Sequence, residues 1–199
     1  GDIEIQQSLL VQAPDSLKAA LNLDVHLLHD GTAVNSEART VTVSTDAGTE
    51  QISYDALILS PGALAIRPPL PGIDSPRVHT LRTVEDATTL RGLVTAGARR
   101  AVVLGGGFIG IEAAEALRLQ GLETSVVELS PHVLPPFESE LAHLITEELT
   151  GLGIAVHDGV GAEAIEPGVG HDTVVLADGT RIEADLIVLS VGVRPDTEV

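Results

Sequence analysis

The chain has 199 residues, is 44% apolar and carries a formal charge of −18, with no cysteine, no methionine and three aromatic residues, Tyr54, Phe108 and Phe137. The missing cysteine excludes disulfides, thiolate nucleophiles and sulfur-ligated metals within these residues. The scarcity of Lys and Arg argues against nucleic acid or an anionic membrane as partner, since both are held by clustered cations. No apolar run approaches the about 20 residues of a membrane span, and no basic-then-apolar leader opens the chain, so a cytoplasmic globular protein is expected. A start at Gly1 without an initiator methionine reads as a piece of a longer protein.

In chain order, Asp15 or Ser16 is placed to cap a short helix over residues 17–21. Three strand-like runs follow, 24–28, 40–44 and 51–54, separated by turn residues such as Asp30-Gly31 and Asp46-Ala47-Gly48, and they read as an antiparallel meander. Within the first run His26 and His29 are expected on opposite faces. The apolar run Ala56-Leu57-Ile58-Leu59 reads as a further strand leading into Ser60-Pro61-Gly62. Pro61, Pro68, Pro69, Pro71 and Pro76 make the next stretch too stiff for a central strand or a helix, so it is expected to connect two domains. From Val84 the pattern alternates: helix 85–94, strand 100–104, helix 108–120, strand 123–128, helix 138–150 and strand 154–157. That alternation implies an α/β fold with a parallel sheet. In the last helix, Leu141, Leu144, Ile145 and Leu149 predict the buried face. Strand-like runs at 161–166, 173–176 and 181–183 form a second meander, and Leu186-Ile187-Val188-Leu189 then leads into Ser190-Val191-Gly192.

The two endings are copies of each other. Residues 48–62 line up with 179–192, and in each copy an aspartate, Asp55 or Asp185, introduces an apolar run that ends in a small residue and a glycine. Such a strand end lets a ligand approach backbone closely. Two copies imply two related dinucleotide domains, yet a glycine fingerprint opens only the second. The opening of the first is expected upstream of Gly1.

That fingerprint is Gly105-Gly106-Gly107-Phe108-Ile109-Gly110, which follows the buried run 100–104 and opens a helix. Gly105 suits the tight strand-to-helix turn, Gly107 the approach of a diphosphate, and Gly110 close packing of helix on strand. The helix N-terminus offers unpaired N–H groups and partial positive charge. The next strand ends at Glu128, eighteen positions after Gly110, where an acid accepts hydrogen bonds from ribose hydroxyls. Its charge would repel a 2′-phosphate, and Leu129, Ser130 and Pro131 offer no compensating arginine, which favours NAD over NADP. The turn itself serves NAD and FAD alike. Other signatures fail: Lys18, the single lysine, is far from any glycine loop, Gly-x-Ser-x-Gly is absent, and the seven histidines show no metal spacing with carboxylates.

Taken in order, Tyr54 to Ala63, Gly105 to Glu112, Glu128, Leu134-Pro135-Pro136 and Asp185 to Arg194-Pro195 resemble the FAD-dependent pyridine nucleotide-disulfide oxidoreductases, in particular the NADH oxidase and coenzyme A-disulfide reductase branch. The resemblance implies a Rossmann-like NAD-binding domain, residues 71–199, inserted in a split FAD domain whose partial segment is residues 1–70. It implies that Ser60, Pro61, Gly62 and Arg82 lie near FAD. It also implies that Phe108 gates the nicotinamide pocket, with Ile109 beside it and Glu112 close to the nicotinamide, and that Val191 and Gly192 line the nicotinamide side of the cleft. The cofactors implied are NAD(H) and, in the parent protein, FAD. The N-terminal FAD fingerprint, any redox cysteine and the dimerisation domain of a homodimeric parent would lie outside this chain, leaving the fragment inactive alone. Two other readings stay open: a stand-alone nucleotide-sensing module without turnover, and a ferredoxin- or rubredoxin-type electron-transfer reductase.

Overall fold

The computed structural model describes residues 12–198, so the first eleven residues of the expected 1–70 segment, and Val199, lie outside the description. The chain divides into two compact units, residues 1–63 with 195–199, and residues 64–194. In the first unit, α1 (Pro14–Leu21) starts with proline, whose missing N–H has no helical partner to lose. The chain enters this helix at Ala13, two residues before Asp15 and three before Ser16, the expected caps, and Ser16 Oγ accepts the Ala13 N–H at 3.0 Å. The meander follows as β1 (Asp30–Asn35), β2 (Thr40–Thr45) and β3 (Gly48–Ser53), antiparallel in that order.

Two expectations fail in this unit. Its first strand is Asp30–Asn35 and not 24–28; the latter run is irregular and ends in Leu28 at φ 58, a conformation foreign to strands. The rings of His26 and His29 accordingly sit 5.1 Å apart instead of facing opposite ways. Residues 56–59 form no strand either, and Ile58 is 89% exposed. A strand needs neighbours for its backbone N–H and C=O groups, and among the described residues none pairs with this run.

The chain enters the second unit within β4 (Ala63–Ala65). There follow β5 (Val78–Thr80), α2 (Val84–Thr95), β6 (Arg100–Leu104), α3 (Phe108–Leu119), β7 (Glu123–Val127), α4 (Ser139–Gly151) and β8 (Ile154–His157). Then come β9 (Ala162–Glu166), β10 (Asp172–Leu176), β11 (Arg181–Ala184), β12 (Leu186–Leu189) and β13 (Val193–Pro195). Five strands make a parallel sheet in the order β5-β12-β6-β7-β8, and β9 to β11 make an antiparallel one in the order β11-β10-β9. Because side chains alternate along a strand, Ala101 and Val103 of β6 with Leu186 and Val188 of β12 meet Leu90, Ala113, Ala114, Leu117 and Leu149 of the helices. The intervening Val102, Leu104, Ile187 and Leu189 meet Ile165, Val174 and Leu176 of the antiparallel sheet. Strands clothed on both faces require the continuous apolar runs seen in the sequence.

The buried face of α4 meets expectation in part: Leu149 is buried and Ile145 packs against the same core, whereas Leu141 and Leu144 are 46% and 58% exposed. At the start of the helix the small Ala142, and not Leu141, is the buried residue. The proline-rich stretch is also more than a connector. Pro71 O accepts the Ile165 N–H at 2.8 Å, Ser75 Oγ donates to the fully buried Asp172, and Arg77 Nη1 pairs with the same carboxylate at 3.2 Å. No helix among the described residues is long and apolar enough to cross a membrane.

Candidate functional site

Register across the parallel sheet puts Thr80, Leu189, Leu104, Val127 and His157 in one row. The segments that follow them share the carboxyl edge of the sheet. After β6 the chain order runs one way through β7 and β8, while β12 and β5 lie on the other side, so the crevice at the β6 end is where ligands of such sheets bind.

The glycine corner sits at that point. Gly105 adopts φ +107, and a Cβ on it would stand 2.4 Å from Ser190 O. A Cβ on Gly110 would stand 1.9 Å from Gly105 O, so α3 approaches the corner more closely than any side chain allows. Beside Gly107, the residue that leads into α3, nothing lies within 4 Å of the same position. The first-turn amides of a helix have no carbonyl to bond, and those of Gly107, Phe108 and Ile109 have no partner among the described residues. With the open space beside Gly107, the partial positive charge of the helix end lies at this corner.

Glu128 is brought to this corner and is 8% exposed. Its Oε2 accepts the Gly106 N–H at 2.7 Å and its Oε1 the Ser130 N–H at 2.7 Å. The carboxylate thus organises the corner itself, and each oxygen keeps a lone pair for a further donor. Three contributors escaped the reading of the sequence. Gly106 supplies that N–H and is crowded, a Cβ there falling 3.1 Å from Glu128 Cβ and Val133 Cγ1. Ser190 Oγ stands 3.0 Å from both Leu104 O and Gly105 O and ties the ends of β12 and β6 together. Leu134, buried and at φ 48, donates its N–H to Gly106 O at 2.8 Å. The Ser-x-Gly ending shared by both copies was the available signal for Ser190, and the Leu134-Pro135-Pro136 run was the signal for the loop.

Phe108 opens α3 with 58% of its surface exposed and meets Phe137 edge-on, ring centroids 5.8 Å apart. Ile109 and Glu112 are exposed on the same first turns, and Val191 and Gly192 are exposed just beyond Ser190. Arg82 follows β5 at the same sheet edge, with its N–H on Asp86 Oδ2 at 2.8 Å. Ser60, Pro61 and Gly62 belong to the first unit, where all three are exposed.

Residues 4–199 match the family described as pyridine nucleotide-disulphide oxidoreductase. The chain belongs to this family. Among its relatives within the pyridine nucleotide-disulphide oxidoreductases is a NADH oxidase of Methanocaldococcus jannaschii, 31% identical over all of this chain and 45% of the relative. The structure of reduced Bacillus anthracis CoADR-RHD is 35% identical with a TM-score of 0.91, over 98% of this chain and 35% of that one. The NADH-bound water-forming NADH oxidase of Lactobacillus brevis is 28% identical with a TM-score of 0.90, over 98% and 44%. The chain therefore spans less than half the length of these relatives.

Proposed function

We propose that the chain is the NAD(H)-binding portion of a flavin-dependent oxidoreductase. The observation that carries this reading is the corner at Gly105 to Gly110, where unpartnered amides open α3, space is open beside Gly107 and a carboxylate is held by the same turn. The amides after Gly107 would hold the diphosphate, and Glu128, through its remaining lone pairs, the adenosine ribose. Val191 and Gly192 would border the nicotinamide half, with Phe108, Ile109 and Glu112 at its mouth. When bound, NADH supplies a hydride to FAD in the parent protein, which passes electrons on to a disulfide, O2 or a similar acceptor. The work of this chain in that step is to bind and orient, since the cofactors carry the chemistry.

Residues up to about 70, including Ser60, Pro61 and Gly62, would belong to the FAD-binding part, with Arg82 near its flavin nucleotide. The parent would be a cytoplasmic homodimer, and this portion alone would be inactive. The NADH oxidases among the relatives, and a chain length below half of theirs, support this reading.

Calorimetric titration of the chain with NADH, NADPH and FAD tests the proposal. NADH is expected to bind, NADPH more weakly and FAD hardly at all. Glu128→Gln should narrow the NADH-to-NADPH gap by about tenfold, because it removes the charge that repels a 2′-phosphate. Tight FAD binding without any nicotinamide binding would overturn the proposal.

A further inference from the structure

Along the carboxyl edge of the sheet the order is β12, β6, β7, β8. Resting on the reading above, the diphosphate belongs over the β6 end and the ribose at Glu128 over the β7 end. The attached base is then directed to the β8 end. A cavity of about 590 Å³ opens there, walled by Leu129, Val160 and Ala177, with His157, Asp158 and Asp178 as its polar side chains. Two of its lining residues are bonded to the Glu128 backbone, whose N–H donates to His157 O at 2.8 Å and whose carbonyl accepts the Val160 N–H at 3.2 Å. Aliphatic walls with a few polar groups suit a flat heterocycle.

Asp178 stands in the turn between β10 and β11, where its Oδ1 accepts the Thr180 N–H at 2.9 Å. That backbone hydrogen bond is the main reason its carboxyl lies below the usual carboxylate range. A carboxylate only accepts hydrogen bonds, and among the described residues Asp178, unlike Asp158, is held in place by a backbone N–H, whereas His157 can donate or accept according to tautomer and so does not discriminate. The exocyclic amino group of adenine donates, while a 6-oxo purine turns lone pairs toward the same place. We infer that Asp178 is a specificity-determining residue that selects a 6-amino purine over a 6-oxo purine in the bound dinucleotide.

The test is calorimetric titration of the chain with NADH and with its hypoxanthine counterpart, which differs only at the 6-position. The unaltered chain should bind NADH about tenfold more tightly. Asp178→Asn keeps an oxygen for the Thr180 N–H, suits a turn and adds an amide donor for the 6-oxo group. In that variant the two affinities should fall within about twofold of each other. Equal affinities in the unaltered chain, or a gap unmoved by Asp178→Asn, would remove this assignment and leave the dinucleotide reading standing. Binding of neither compound would remove both.

Discussion

Two stretches with nearly the same pattern of residues end in different structures. In the second copy, Leu186-Ile187-Val188-Leu189 is β12, buried along its whole length between β5 and β6. In the first, Ala56-Leu57-Ile58-Leu59 is irregular, with Ile58 and Leu59 at 89% and 59% exposure. Both are preceded by a meander that forms as an antiparallel sheet, and both end in a glycine with positive φ. What differs is company. β12 has a parallel neighbour on each side and apolar layers above and below, whereas no described residue pairs with 56–59. An apolar run thus encodes the capacity to be a central strand, and its neighbours turn that capacity into structure.

The comparison can be broken most forcefully by placing a charge in each copy. Val188→Asp puts an unpaired carboxylate at a position with no exposed surface, and should cost more than about 4 kcal/mol and abolish cooperative unfolding of the second unit. Ile58→Asp should change stability by no more than about 0.5 kcal/mol. Urea unfolding followed by far-ultraviolet circular dichroism reads both, and a large loss from Ile58→Asp would show that this run is buried in solution.

The same distinction explains what could be read in advance. The parallel sheet was legible because 186–189 is wholly apolar, 100–104 and 154–157 are apolar but for one end residue, 123–127 closes on Val126-Val127, and these runs find one another within the described residues. The corner was legible because Gly105 and Gly110 each meet a separate backbone constraint, a positive φ in the one and a close approach in the other. The run at 56–59 carried an equal signal, but its outcome depends on partners that sequence pattern does not supply. Short β5 was hidden because three residues, Val78 to Thr80, are too few to show periodicity, and its strand character comes from pairing with β12. Ser190 and Gly106 were overlooked because their contributions are a hydroxyl and an N–H aimed by tertiary contacts.

A smaller but more specific contrast lies in the aspartates that open the two endings. Burial disfavours ionisation of Asp185, but the Arg100 guanidinium, at 2.7 Å, and the backbone N–H groups of Arg99 and Arg100 outweigh it and hold the carboxyl at about 2, below its ordinary 3.8. A carboxyl depressed in the folded state stabilises the fold above its unfolded value and loses that contribution as pH falls through the folded one. The window is therefore from about pH 4 down to about 2, and the contribution at neutral pH is on the order of 2 kcal/mol. Asp185→Asn should lower stability at pH 7 by about that amount and flatten the acid limb of the stability profile. Asp55 is exposed and makes no corresponding ion pair among the described residues, so Asp55→Asn should shift stability by less than about 0.5 kcal/mol at any pH. Equal pH profiles for the two variants would show that the Arg100 pair does not form in solution.

The smallest expected effect is the one on which the two copies should agree. Gly62 has φ +86 and Gly192 φ +123, both in the region that a Cβ makes costly. Gly192 has only one close neighbour, with a Cβ there falling 3.4 Å from Ile66 Cδ1, an ordinary contact. Conformation, and not crowding, is thus the reason for glycine at that position, and the same backbone requirement at Gly62 persists where no strand precedes it. Gly62→Ala and Gly192→Ala should each cost about 1 kcal/mol, matching within about 0.5 kcal/mol in urea unfolding. A match would mean that the turn ending each copy is encoded locally, independent of the strand before it. A cost confined to Gly192 would mean that the packed strand imposes the turn, and that in the first copy the glycine is conformationally free.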